Sequence, residues 1–396
     1  MSGAVENRDG FMPPPAGEFL GHPKALWNLF ASEFWERFMY YGMRAMLAVH
    51  IAAAFFAHLG DGARAEASLT YGGFTSLVYM TGIAGGFVAD RILGYQRSIM
   101  LGGALMAVGS FMLMAPDLTT FVIGLAVIVV GNGLFKPNIS TMVGKLYAPG
   151  DVRRDSGFTI FYMGINAGAF FAPFICASWI GQTYGYRWGF FSAGIGMILG
   201  LMVFQLLKGW LGHVGTAPEG KKGFAPVIQV LLAAAVMVIP VYYLLSKSDI
   251  LGVLLIGMML ALVAYFVYSG VRSGDKVQLH RYIAMLILFV ANILFWALCE
   301  QAGSSLTFLA QDFVKMPDVS ILGWTPTFEV FQSVNPVFII LLAPVFATLW
   351  IKLDKAEWNP SIPRKFAYGM AGAALGFYVL VFAIQNFVDA GGKISW

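Results

Sequence analysis

Eleven runs of mainly apolar residues divide the chain, at about 25–56, 71–90, 97–115, 119–146, 156–178, 186–208, 224–245, 250–270, 281–311, 328–351 and 365–388. Each reaches the roughly 17–25 residues that a helix needs to cross bilayer hydrocarbon. None alternates apolar and polar positions as a membrane barrel strand does. A helix satisfies its own backbone donors and acceptors, so lipid selects helices for runs of this kind. The pattern predicts an all-α, polytopic membrane protein.

The first run breaks the pattern in its middle. Ser32-Glu33-Phe34-Trp35-Glu36-Arg37-Phe38-Met39-Tyr40-Tyr41-Gly42-Met43-Arg44 puts two carboxylates and two guanidinium groups where hydrocarbon is the solvent. A charge at the bilayer centre costs about 2.5 kcal/mol even on the lenient insertion scales. Glu33, Arg37, Tyr40 and Arg44 step by four, three and four, which places them on one helix face. Glu36 and Tyr41 flank that stripe. An internal ion pair that locks the helix to a neighbour is the structural alternative, and one pair would suffice for it. The fuller expectation is a proton and substrate site, in which an intramembrane carboxyl titrates beside an arginine.

Three more embedded features join this stripe. Lys136, in Gly131-Asn132-Gly133-Leu134-Phe135-Lys136-Pro137-Asn138-Ile139-Ser140, is too deep in its run to snorkel to water, and is expected to meet Glu33, Glu36 or a ligand carboxylate. Glu300, in Phe295-Trp296-Ala297-Leu298-Cys299-Glu300-Gln301, reads as the only other embedded carboxylate. Ser304 could satisfy it locally. Glu33, Glu36 and Glu300 then balance Arg37, Arg44 and Lys136, as a semi-dry cavity demands.

Glu-x-x-Glu-Arg-Phe-x-Tyr-Tyr-Gly resembles the first-helix signature of proton-dependent oligopeptide transporters, a branch of the major facilitator superfamily. Phe161-Tyr162-Met163-Gly164-Ile165-Asn166-Ala167-Gly168 resembles the fifth-helix signature of the same family. Gly86 to Arg97, with Asp90-Arg91, Gly94 and Arg97, is similar to the superfamily turn between helices two and three. There an aspartate contacts a neighbouring helix end and helps gate the inside.

The resemblance implies a major facilitator fold with an extra two-helix insertion between its halves. It implies proton-coupled symport of di- and tripeptides by alternating access, with no cofactor and no enzyme activity. Arg37 and Lys136 would take the peptide carboxylate. Tyr40, Tyr41, Tyr79, Asn166, Trp296 and Asn335 would shape the pocket, with Arg44 and Glu300 also at substrate. Glu33, Glu36, Arg37 and Glu300 would handle the proton. Arg44, Glu300, Asp90 and Arg91 would gate, with Arg44 meeting Glu300 when the outside closes. Asn335 before Pro336 also reads as a kink, because proline frees a carbonyl.

Composition narrows the picture further. The chain is 58% hydrophobic and 12% charged, where soluble domains carry about 25% charged residues. Its 46 glycines suit close helix packing in lipid, and Gly164 and Gly168 form one small-residue face. The net charge of +4 does not point to nucleic acid. Cys176 and Cys299 lie in apolar runs and read as packing residues, and no metal-ligand spacing occurs. No His-Glu-x-x-His, P-loop or nucleophile triad suggests an enzyme.

With the N-terminus inside, Arg8, Lys24, Arg91, Arg97, Lys145, Arg153, Arg154, Lys208, Lys221, Lys222, Arg272, Lys276, Arg281, Lys352, Lys355, Arg364 and Lys365 face the cytoplasm. Arg64, Arg187, Lys247, Lys315 and Lys393 face out. This bias favours a cytoplasmic N-terminus, a multi-pass protein of the inner membrane and an outside Trp396. The expected organisation is a cytoplasmic tail over 1–24, a six-helix bundle over 25–208, a loop over 209–223, the inserted hairpin over 224–270 with no substrate role, and a partial three-helix bundle over 271–396. The resemblance implies three further C-terminal helices with no counterpart here. A monomer is expected. The alternatives are a family member carrying another solute, such as nitrate or a drug-like anion, and a non-transporting membrane sensor.

Overall fold

The computed structural model describes residues 11–221, 223–317, 319–320, 324–389 and 392–395. Arg8 and Lys222, assigned above to the cytoplasm, and Trp396 lie outside the described residues.

Helices occupy all eleven apolar runs. In chain order they are α1 (Lys24–Ala54), α2 (Ala63–Met80), α3 (Gly82–Val88), α4 (Tyr95–Met112), α5 (Leu118–Lys145), α6 (Arg154–Ala172), α7 (Tyr186–Leu206), α8 (Ala225–Ser246), α9 (Ser248–Arg272), α10 (Lys276–Glu300), α11 (Ser305–Phe313), α12 (Val334–Lys355) and α13 (Ile362–Asn386). The second run is built from α2, α3 and a π-helical turn, Ala89–Leu93. Nine helical stretches among the described residues are long and apolar enough to cross a membrane. α1 and α4 fall short of that measure, α1 through its charges and α4 through Gln96 and Arg97 at its start.

The chain forms two compact units. The first comprises the described residues up to Met46, Gly72–Leu245 and Ser333–Ile340, and the second Leu47–Tyr71, Ser246–Gln332 and Leu341 onward. The helices of the 224–270 hairpin therefore divide, α8 falling in the first unit and α9 in the second.

In the first unit, α4 and α5 pack along their length on paired glycines. A Cβ on Gly102 would lie 2.5 Å from the Gly131 carbonyl oxygen. Phe121, Phe135, Phe190 and Phe204 are fully buried in this unit. A short hairpin precedes α1, with β1 (Glu18–Phe19) antiparallel to β2 (His22–Pro23). His22 Nδ1 lies 2.8 Å from the Tyr147 hydroxyl just beyond α5. Arg153 holds the Asp151 carboxyl below the usual carboxylate range at the head of α6.

In the second unit, α9 packs on α10 and α10 on α13. β3 (Val314–Lys315) and β4 (Ile394–Ser395) form a short parallel pair. Many of this unit's large apolar side chains, including Leu254, Leu260, Ile287 and Val379, are exposed. That is the surface a helix presents to lipid tails.

Candidate functional site

The site rests on how α1 meets α6 and α5 within the first unit. α6 brings its glycine face against α1. A Cβ on Gly168 would stand 2.3 Å from the Phe34 carbonyl oxygen and 3.0 Å from Arg37 Cβ. Gly164 makes the same approach to Phe30. The two glycines therefore pack as their spacing suggests, and the α1 backbone comes close at the turn that carries the charges.

Pro137 shapes the second wall. It lacks the N–H that would bond to Gly133, so the Gly133 carbonyl is released from the α5 ladder. Gly85 of α3 approaches that carbonyl so closely that a Cβ would lie 1.7 Å from its oxygen. Asn138 Nδ2 then donates to Gly85 O at 3.1 Å. Lys136 is set one residue before this junction.

The charged side chains converge there. Arg37 donates through Nε and Nη2 to both oxygens of Glu36, the Nη2 bond being 2.5 Å. Its Nε also lies 3.3 Å from Glu33 Oε1. Lys136 Nζ donates to Glu33 Oε1 at 2.5 Å. Asn132, one turn before Lys136, donates to Glu36 Oε1 at 3.2 Å. Glu33 and Glu36 are fully buried, while a third of the Lys136 side chain is exposed. Glu33 Oε2 is buried without a hydrogen-bond partner among the described residues. The Arg37 guanidinium lies over the rings of Tyr40 (5.0 Å) and Tyr41 (5.9 Å), and Arg44 lies 5.6 Å from the Tyr41 ring. Two carboxylates and two cations are thus paired between α1 and α5.

The remaining expected residues fall in several places. Tyr79 is exposed on α2. Asn166 is buried and donates to the Tyr162 carbonyl of its own helix at 2.9 Å. Asn335 is exposed in the first turn of α12, and Pro336 follows a junction between the 3-10 turn Phe328–Ser333 and that helix. Asp90 accepts a hydrogen bond from Tyr95, the first residue of α4, so its partner here is on the next helix of its own turn. The Arg91 carbonyl accepts from Lys221 Nζ at 2.8 Å. Trp296 and Glu300 belong to the second unit. Trp296 is half-exposed, and Glu300 accepts from the Tyr71 hydroxyl at 3.3 Å. A hydroxyl does meet Glu300, but from Tyr71 in place of Ser304.

Two features of the second unit escape the sequence reading. Glu329 is fully buried and accepts from the Thr327 hydroxyl, so Glu300 is not the only further embedded carboxylate. Glu329 lies at the margin of its apolar run, inside the 3-10 turn Phe328–Ser333. Arg64 and Asp312 form a bidentate pair, with the second bond at 2.9 Å, and Arg64 lies over the Phe308 ring at 5.1 Å. The two residues stand 248 positions apart, and nothing local in either segment signals the contact.

Comparison with known proteins agrees with this architecture. The family model described as "POT family" matches residues 96–394. The chain is similar to "Uncharacterized transporter YclF" of Bacillus subtilis, at 38% identity over 99% of this chain and 80% of the relative. It is similar to "Peptide transporter YePEPT" of Yersinia enterocolitica, at 37% identity over 96% of this chain and 77% of the relative. A crystal structure of a mutant of "peptide transporter POT" in complex with alafosfalin superposes with a TM-score of 0.78 at 38% identity, covering 96% of this chain and 78% of that one. This multi-pass membrane protein belongs to the POT family of transporters.

Proposed function

We propose that the protein carries di- and tripeptides into the cell by proton-coupled symport. The observation that supports this most is the buried cluster in which Lys136 and Arg37 share Glu33 and Glu36. A peptide C-terminus supplies a carboxylate that can take the place of Glu33 beside Lys136. Protonation of Glu33 ends its pairing with Lys136 and frees the ammonium for that carboxylate. Deprotonation restores the pair and expels the ligand. A buried pair broken without replacement costs about 3–5 kcal/mol, enough to couple the two events.

In this reading Tyr40 and Tyr41 pack against the guanidinium groups and shape the pocket wall. Tyr79, Asn166, Trp296 and Asn335 complete a pocket tolerant of many side chains. Glu300 links protonation to closure with Arg44, and Asp90 and Arg91 serve the opposite gate. The basic bias of the loops supports a cytoplasmic N-terminus in the inner membrane, and the chain acts as a monomer.

The test is uptake of a labelled dipeptide into proteoliposomes, with and without an inward proton gradient. Accumulation that collapses with a protonophore is expected. Absence of both uptake and peptide binding would reject the peptide reading.

A further inference from the structure

The short hairpin ahead of α1 is fastened to α1 on one side and to the end of α5 on the other. On the α1 side, the Lys24 N–H donates to the Gly17 carbonyl at 2.9 Å, and Trp27 Nε1 donates to the Phe19 carbonyl at 3.2 Å. The hairpin and the first turn of α1 thus hold one another. On the α5 side, His22 Nδ1 lies 2.8 Å from the Tyr147 hydroxyl, and the two rings meet edge to face with centroids 6.0 Å apart. Arg153 donates to Glu18 Oε1 at 2.6 Å and to the Gly21 carbonyl at 3.3 Å. His22 and Tyr147 are 8% and 4% exposed, so water is a poor substitute for either partner. Gly157 of α6 makes the room, since a Cβ there would stand 2.2 Å from the Tyr147 oxygen.

The register of this contact matches that of the charged site. Glu33 lies eleven residues after His22, and Lys136 lies eleven residues before Tyr147. Within the helices, Lys24 to Glu33 and Lys136 to Lys145 are nine residues each, about 14 Å at a rise of 1.5 Å. One turn further on, Glu36 meets Asn132. Steps forward from His22 through α1 are therefore matched, to within one residue, by steps back from Tyr147 through α5. A slide of α1 along α5 that breaks the His22 contact also moves Glu33 off Lys136.

The charged groups at His22 are Glu18 of β1 and Asp151 and Arg153 of the turn between α5 and α6, and Ser156 Oγ of α6 lies 3.4 Å from its Nε2. Burial pushes the Tyr147 phenol up to about 12, so it keeps its proton at any pH used to drive transport. Loss of the Tyr147 hydroxyl therefore removes a tie and no group that titrates near neutrality.

We infer that His22 and Tyr147 are positioning residues for transport: they fix the register of α1 on α5, and so govern whether Glu33 re-forms its pair with Lys136 on losing its proton. The functional half of this inference rests on the proton-coupled peptide reading, and the structural half does not.

The experiment uses the purified full chain and two measurements. The first is binding of a labelled dipeptide at pH 6 and pH 8. Tyr147→Phe is expected to shrink the ratio of the two affinities by up to about fivefold, the factor for one lost hydrogen bond. A purely structural role would lower the amount of folded protein and leave that ratio alone. His22→Ala is expected to act as Tyr147→Phe does, and His22→Asn, which keeps a polar atom near the place of Nδ1, to restore much of the wild-type ratio. The second measurement is the unfolding midpoint of Tyr147→Phe, Glu33→Gln and the double variant. Sites this far apart ordinarily add. Here the double variant is expected to lose less than the two single losses together, because without the Glu33 carboxylate there is no pair left for the register to serve. Additive midpoint losses would overturn the inference, and so would a wild-type affinity ratio in Tyr147→Phe. A wild-type chain that binds no dipeptide at either pH would reject the peptide reading instead, and the midpoints alone would then decide the register.

Discussion

The two units each hold an arginine–carboxylate pair, and the pairs sit at opposite ends of the solvation scale. Glu33 and Glu36 are fully buried beside an Arg37 that is 9% exposed, whereas Arg64 and Asp312 are 47% and 36% exposed. Geometry does not separate them, because both arginines are bidentate. Water does. In the first cluster Glu33, Glu36 and Arg37 have given up nearly all their hydration and Lys136 part of its own, so each member depends on the others. The second pair keeps water as an alternative partner and is worth about 0–1 kcal/mol. A cluster that costly to build is the place to look for proton and substrate chemistry, and the exposed pair is a fastening between two segments of its unit.

The sharpest way to break the comparison is to remove one carboxyl charge. Glu33→Gln and Glu36→Gln are isosteric, so packing is retained and the carboxyl is lost. Each is expected to abolish proton-driven accumulation of a labelled dipeptide in proteoliposomes, while exchange of labelled for unlabelled peptide without a gradient persists. Accumulation at the wild-type level in either variant would remove the proton role from that residue.

Next in size is the loss of a counter-ion. Lys136→Ala leaves Glu33 buried with a single, longer contact to Arg37. The expected cost is about 3–5 kcal/mol of stability at neutral pH, read by thermal or denaturant unfolding. Pairing that loss with Glu33→Gln makes the test specific. Once the carboxylate is neutral the lysine has little to stabilise, so the double variant is expected to recover much of the loss.

A smaller effect comes from the scaffold. At Gly168 an added Cβ meets the Phe34 carbonyl oxygen at 2.3 Å. Gly168→Ala must push α6 off α1 or strain the contact, at about 1–3 kcal/mol. The Arg37 stripe shifts with α1, so peptide uptake is expected to fall further than global stability alone accounts for. An alanine variant with wild-type uptake and unfolding would mean the helices have slack at this turn.

Much of this was legible before folding because membrane sequences are written in strong contrasts. Glu33, Glu36, Arg37 and Lys136 stand out against hydrocarbon, and so few ionisable groups have few partners to choose from. The Lys136–Glu33 contact follows from that shortage. The Gly164–Gly168 face follows from helical periodicity. The structure is needed where the contrast fades. Glu329 lies at the edge of an apolar run, where its charge reads as an ordinary loop residue, and its burial appears only in the folded chain. Asn166 was legible as a polar residue in an apolar helix, but its amide bonds its own backbone, a choice made by side-chain rotation and invisible to spacing. The Arg64–Asp312 pair depends on tertiary placement alone.

That pair carries the smallest expectation. Arg64 holds the Asp312 carboxyl below its usual range, first through the hydrogen bond and then through charge. A carboxyl whose folded pKa is lowered adds stability above the ordinary carboxylate pKa of about 3.9 and loses it as pH falls through the lowered value. From pH 8 down to about 5 the contribution is therefore constant, and it disappears only in more acidic solution. Asp312→Asn is expected to cost at most about 1 kcal/mol at pH 7, and less in high salt, because both partners are accessible to solvent. The difference in unfolding midpoint between the variant and the wild-type protein is expected to stay flat across pH 5–8 and to close below the ordinary carboxylate range. A cost of several kcal/mol that is insensitive to salt would place Arg64 and Asp312 with the buried cluster of α1, and solvent exposure would no longer separate the two pairs.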